Sequence, residues 1–358
     1  MTHTIRYRIE ARRKKNNPNT YYYLIREFKT GGRRCIITKY IKSGNRPSEE
    51  EIAEYLSGHI FEIEDAAQKK YLQVRQETLP CRYLNASSAE SIERLRYLHN
   101  YVGNLISADE ARCYEQEAEF QYIHGTTAVE GNTLTYGETK ELLEHGILPD
   151  GKTAREIFEI QNFKEVAAYR NRYPGKVTLS FIRKVHRLIM TNILSEPGQF
   201  RTTDNILISG YDYQVTPSLL IEEELENLIT WYYQKITERY NPFECAVMFH
   251  YRFETIHPFV DGNDRVGREL RNYLLTKAGC PRMLVRENKR GKYVSALHSG
   301  NTDDYESMMK IFAEILVGER ISSLEAGFRQ QLEIRVSGSY KKNAQHSLSE
   351  FVTIQPFV

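Results

Sequence analysis

Beyond Ser107, apolar residues return at every third or fourth position through most of the chain, and this period restricts the fold to packed amphipathic helices more than any other feature does. It predicts helices over about residues 108–124, 136–145, 153–172, 179–193, 218–238, 242–256, 263–278, 303–317 and 321–333. One stretch breaks the pattern: in Asp204–Val215 the residues Ile206, Leu207, Ile208, Tyr211, Tyr213 and Val215 surround Ser209-Gly210, which predicts a β-hairpin. Before Ser107 the pattern differs. Ile5–Ala11, Tyr21–Phe28 and Arg34–Ile41 read as strands of a small sheet, with a turn at Gly31-Gly32. Ser48 and Glu51 then form a capping box, and helical spacing covers Ile52–Leu72 and Ala89–Leu105 with a linker at Thr78–Ser88. The expected organisation is a basic β-rich segment (1–47), a helical linker region (48–106), a helical domain (107–320), and a final helix and tail (321–358).

The longest apolar run, Tyr21–Ile25, is far too short to span a bilayer, and the basic N-terminus lacks the apolar stretch of a secretory leader. A cytoplasmic protein with no membrane partner is expected. The five cysteines stand singly and are odd in number, which predicts reduced thiols. The net charge of +2 hides a polarised chain: residues 1–46 carry thirteen Lys and Arg against Glu10 and Glu27. That segment is either a solvated face or, with Tyr21, Tyr22 and Tyr23 beside it, a nucleic-acid surface.

Chemistry concentrates in His257-Pro258-Phe259-Val260-Asp261-Gly262-Asn263-Asp264-Arg265-Val266-Gly267-Arg268. The row Val266, Leu270, Leu274 faces a core, which leaves a loop running into a helix N-terminus with two arginines in its first turns. Free N–H groups, the helix dipole and those guanidiniums favour phosphates. His257 is a base near neutral pH, and Asp261 offers hard oxygen to Mg²⁺. His250, in the apolar row of Phe243, Ala246 and Val247, reads as a core residue. The combination points to phosphoryl or nucleotidyl transfer.

This segment resembles the signature HxFx(D/E)GNGRxxR of the Fic family; Asp264 stands where the family usually has glycine. The resemblance extends over about residues 110–320, through Gly198-Gln199-Phe200-Arg201, the 204–215 hairpin and His250–Ile256. Thr126-Thr127-Ala128-Val129-Glu130-Gly131 resembles the inhibitory pattern (S/T)xxxE(G/N) of members restrained by an N-terminal helix.

The resemblance implies a mainly α, Fic-type domain with a β-hairpin flap. It implies an adenylyltransferase that moves AMP from ATP, with Mg²⁺, to a Ser, Thr or Tyr hydroxyl of a target protein or of itself. His257 would take the hydroxyl proton, Asp261 would hold Mg²⁺, and Gly262 and Asn263 would cradle the α-phosphate. Arg265 and Arg268 would hold the β- and γ-phosphates, with Phe259 an apolar anchor beneath the loop. Glu130 would restrain the enzyme, and Ile206, Leu207 and Ile208 would pair with the target. Transfer of another group, removal of AMP, a weakly active nucleic-acid-binding regulator and a homo-oligomer remain open alternatives.

Overall fold

The computed structural model describes residues 5–15, 17–204, 215–318, 320–340 and 352–354. In chain order these begin with β1 (Tyr7–Arg13), β2 (Thr20–Thr30), β3 (Arg33–Ser43), α1 (Glu49–Thr78), α2 (Ala86–Leu105), α3 (Ala108–Ala128), α4 (Tyr136–His145) and α5 (Ala154–Arg172). There follow α6 (Leu179–Ile189), α7 (Ile221–Thr237), α8 (Pro242–Ile256), α9 (Asn263–Lys277), α10 (Arg290–Asn301), α11 (Tyr305–Val317), α12 (Arg320–Tyr340) and β4 (Val352–Ile354). The chain is mainly α, as its periodicity predicts. Helix α10 lies where no helix is predicted: Gly291 and Gly300 weaken the pattern, but Tyr293, Ala296, Leu297 and Gly300 still form one buried face. A Cβ on Gly300 would sit 2.6 Å from the Tyr251 ring, so close packing demands this glycine.

The described residues of 1–79, 89–108 and 319–358 form one compact unit, and those of 80–88 and 109–318 form another. In the first, the sheet order is β3-β2-β1-β4, antiparallel except for β4, which runs parallel to β1. Alternation turns Tyr7, Ile9, Tyr22 and Leu24 inward, against Ile52, Leu56, Ile60 and Ile63 of α1 and Phe328 and Leu332 of α12. The predicted capping box starts α1: Glu51 N–H donates to Ser48 Oγ (3.2 Å) and Ser48 N–H to Glu51 Oε2 (2.8 Å).

The charge of this segment is largely matched by its own surroundings. Arg26 is buried against Glu64 at 2.9 Å, and Tyr7 donates to the same carboxylate at 2.7 Å. Arg8 and Arg12 pair with Glu10, Arg34 with Glu27, Arg33 with Glu77, Lys39 with Glu62 and Lys42 with Glu51. Helix α1 supplies four of these acids.

In the second unit α8 and α9 pack together at the centre, with α6, α7 and α11 around them. Asn241 caps α8 by accepting from Phe243 N–H at 3.0 Å, and Pro242 fills the first position, where no N–H is needed. Glu244 accepts the backbone N–H groups of Arg82, Tyr83 and Leu84, which fixes the incoming chain. His250 is fully buried, as its place in the apolar row predicts, with Nε2 2.9 Å from the Tyr293 hydroxyl. Among the described residues no helix is long and apolar enough to cross a membrane, and all five cysteines are free thiols.

Candidate active site

The loop between α8 and α9 is built from two residues in left-handed conformations. His257 ends α8 at φ 50°, ψ 60°, and Gly262 begins α9 at φ 83°, ψ 7°. A Cβ on Gly262 would meet Met190 Sδ at 2.8 Å, so both the backbone angle and the packing require glycine here. Asn263 closes the loop on itself. Its Oδ1 accepts from Phe259 N–H and its Nδ2 donates to the Phe259 carbonyl, both at 2.8 Å. Phe259 is fully buried, stacked on His186 with centroids 3.7 Å apart and planes 4° from parallel.

His186 and Arg201 hold the loop from outside. Gly198 N–H donates to His186 Nδ1 at 2.7 Å, which fixes the proton on Nε2, and Nε2 donates to the Asp261 carbonyl at 3.0 Å. Burial pushes the His186 pKa down to about 4. Arg201, itself buried, donates from Nε to the His257 carbonyl at 2.8 Å and also binds the Thr203 and Thr216 carbonyls. It therefore ties the end of α8 to both ends of the segment expected to form the flap. Ile206, Leu207 and Ile208 lie outside the described residues.

The charged side chains of the motif face one another. Asp261 Oδ1 accepts from Gly262 N–H at 2.6 Å and from Arg265 Nη2 at 3.0 Å, while Oδ2 accepts from Arg155 Nη2 at 2.9 Å. Burial opposes its ionisation, but Arg265, Arg155 and the Gly262 N–H more than offset this and hold the carboxyl below its usual range. Arg265 is buried and also donates to Glu159 Oε1 at 2.8 Å. No side chain caps the start of α9, so its first N–H groups remain available to an anion. Burial and the Arg201 charge push His257 down to about 4, which leaves its imidazole neutral at pH 7.

One turn further along α9, Arg268 is 1% exposed and is held by the segment that ends α3. Its Nε donates to Thr126 Oγ1 at 2.9 Å, and its Nη2 lies 3.0 Å from the Thr126 carbonyl and 2.9 Å from Glu130 Oε1. Burial opposes the charge on Arg268, and Glu130 more than compensates, so its pKa is raised. Both ends of the Thr126–Glu130 pattern thus grip one guanidinium, while Gly131 turns the chain away at φ 94°.

Each residue of the 257–268 segment singled out from sequence therefore lies on one loop and the first turns of one helix, and Glu130 meets Arg268. Sequence reading did not single out His186, Arg155 or Glu159, and it noted Arg201 only within the Gly198–Arg201 resemblance, without a role. Their partners lie 56 to 106 residues away, beyond any local spacing pattern. The donors suit Mg²⁺ through a single carboxylate: Asp261 keeps 38% of its side-chain surface exposed, and among the described residues no three acidic, His or Cys side chains are arranged to hold a metal alone. Substrate phosphates would have to complete such a site.

Residues 176–275 match the model of the Fic/DOC family. Protein adenylyltransferase fic-1 of Caenorhabditis briggsae is 28% identical over 256 residues, covering 70% of this chain and 50% of that protein. Protein adenylyltransferase Fic of Nematostella vectensis is 30% identical over 203 residues, covering 55% and 47%. The chain spans about half the length of these curated relatives. Among solved structures, Fic-1 (residues 134–508) from Caenorhabditis elegans superposes with a TM-score of 0.58 at 25% identity, covering 78% of this chain and 86% of that one. A Fic-domain signaling protein from Bacteroides thetaiotaomicron has the same TM-score at 23% identity, covering 66% and 97%; it supports the fold.

Proposed function

Because this chain carries a Fic/DOC domain, we propose that it is a protein adenylyltransferase that moves AMP from ATP to a Ser, Thr or Tyr hydroxyl and is restrained by Glu130. The observation that carries the reading is the pairing of a neutral histidine at the end of α8 with an uncapped helix start bearing two arginines. His257 accepts the proton of the target hydroxyl as its oxygen attacks the α-phosphorus. The bond from that phosphorus to the α–β bridging oxygen breaks, and pyrophosphate leaves. The N–H groups at the start of α9 receive the α-phosphate, and Arg265 and Arg268 take the β- and γ-phosphates. Such chemistry depends on positioning and charge stabilisation more than on covalent steps.

Mg²⁺ would be held by Asp261, once Arg155 swings away, and would neutralise phosphate charge. Arg155 is exposed enough to do so, with 56% of its side-chain surface open. Glu130 restrains the reaction by occupying Arg268 and repelling the γ-phosphate. The hairpin carrying Ile206, Leu207 and Ile208 would pair with the backbone of the target, and Arg201 ties both of its ends to the catalytic loop. Self-modification is the simplest instance of the reaction.

ATP labelled at the α-phosphate tests the reading. Glu130→Gly protein should incorporate the α-label and not the γ-label. Incorporation of the γ-label alone would indicate a kinase, and release of AMP from modified protein would favour the reverse hydrolytic reaction.

A further inference from the structure

Glu130 is one of two carboxylates beside Arg268. Asp264 precedes Arg268 by four residues, one turn away on the same face of α9. It is half-buried, and no described residue gives its carboxyl a hydrogen bond or an ion pair. Around it stand Glu130 beyond the end of α3, Arg265 and Arg268 on α9, Glu254 on α8, and Arg290 and Tyr293 on α10. Glu254 packs closely against α9 here: a Cβ on Gly267 would run into Glu254 and His250. Arg268 Nη1 is buried without a partner, so the guanidinium has one donor uncommitted even while Glu130 is in place.

This crowd of carboxylates does not form a metal site. Burial and the charge of Glu130 push the Asp264 carboxyl up to about 6, against the opposing charges of Arg268, Arg265 and Arg290. Displacing Glu130 removes one negative charge from Arg268 and leaves the other. A triphosphate would bring its terminal phosphate to this arginine, beside Asp264. On the adenylyl-transfer reading, a diphosphate, one phosphate shorter, would end at Arg265.

We propose that Asp264 determines the charge of the nucleotide accepted at this site, making a nucleoside diphosphate a better AMP donor than a triphosphate once Glu130 is displaced. The inference rests on the adenylyl-transfer reading. With ADP, the hydroxyl oxygen bonds to the α-phosphorus, the bond from that phosphorus to the bridging oxygen breaks, His257 takes the proton and inorganic phosphate leaves. Only the leaving group changes.

Calorimetric titration of ADP and ATP, with Mg²⁺, into the Glu130→Gly protein and into the Glu130→Gly, Asp264→Asn double variant tests this without relying on turnover. At an effective dielectric of about 60, that of a site open to solvent, one unit charge about 4 Å from a phosphate changes affinity by roughly tenfold. The Glu130→Gly protein should bind ADP about tenfold more tightly than ATP. The added Asp264→Asn change should tighten ATP about tenfold and alter ADP much less. Asp264→Gly in place of Asp264→Asn should give the same shift, and thermal melts of all variants establish that each is folded. ATP binding as tight as ADP in the Glu130→Gly protein, or an equal gain for both nucleotides on replacing Asp264, overturns the proposal while leaving adenylyl transfer intact. If neither nucleotide binds any variant, the adenylyl-transfer reading falls and this inference falls with it.

Discussion

Arg268 is buried with Nε committed to Thr126 and Nη2 to Thr126 and Glu130, so a phosphate meets these two nitrogens only by displacing a carboxylate and bending a threonine contact. The two partners should therefore contribute unequally to restraint. Thr126→Val, which removes one hydrogen bond and keeps the ion pair, should raise self-modification about fivefold. Glu130→Gly should raise it further, and Arg268→Ala should abolish transfer in every background; radiolabel incorporation measures all three. His257 makes a second prediction at this scale. With its pKa lowered to about 4, the imidazole is unprotonated above that value and gains its proton only as the pH falls through it. The rate of transfer should therefore show no loss attributable to His257 between pH 8 and about 5, and a pH–rate profile that falls with an inflection near 6.5 would contradict this. His257, Asp261, Arg265, Arg268 and Glu130 were all legible in the sequence because their chemistry is compressed into two short patterns. The engagement of Asn263 with the Phe259 backbone was not legible, since an amide four residues from its partner looks the same whether it faces a phosphate or its own loop.

The elements supply what the motif cannot. Helix α8 ends and α9 begins within six residues, and this turn is held by α6 through His186 and by the chain around Arg201. The helices other than α10 were readable from their period, and the capping residue Ser48 marks a start that the structure repeats; Thr135 and Thr153 cap α4 and α5 in the same way. Partners drawn from α5 and α6 were not readable, because Arg155, Glu159 and His186 carry ordinary helix-surface spacing and acquire meaning only when α9 is laid against them. His186 gives a test of this support. Its pKa is depressed from 6.5 to about 4 on folding, so the unfolded chain binds the additional proton first. The stability it contributes is complete above about pH 6.5 and is lost as the pH falls towards 4. Thermal melts should therefore show the midpoint decreasing across that window, and His186→Asn should flatten part of the decrease. A midpoint that stays constant from pH 7 to 4.5 would contradict the buried, neutral imidazole.

For the whole molecule, the charge of the first 46 residues is the feature that sequence most overstates. Thirteen basic residues against two acids look like a polyanion surface, but seven of them are paired with carboxylates, four of which come from α1 and so lie outside the counted segment. The six left are enough for a modest electrostatic contact. Any binding to duplex DNA should show a slope of log affinity against log salt no steeper than about −5, from roughly −0.9 per phosphate neutralised. A steeper slope, lost on deleting residues 1–46, would mean that the ion pairs open on binding. The central claim concerns the other unit, and mass spectrometry of the Glu130→Gly protein after incubation with ATP and Mg²⁺ tests it most directly. The account predicts a mass gain of one adenylyl group, mapped to a Ser, Thr or Tyr hydroxyl and absent from the Glu130→Gly, His257→Ala double variant. A gain of one phosphoryl group instead, or an adenylyl gain undiminished without His257, would contradict it.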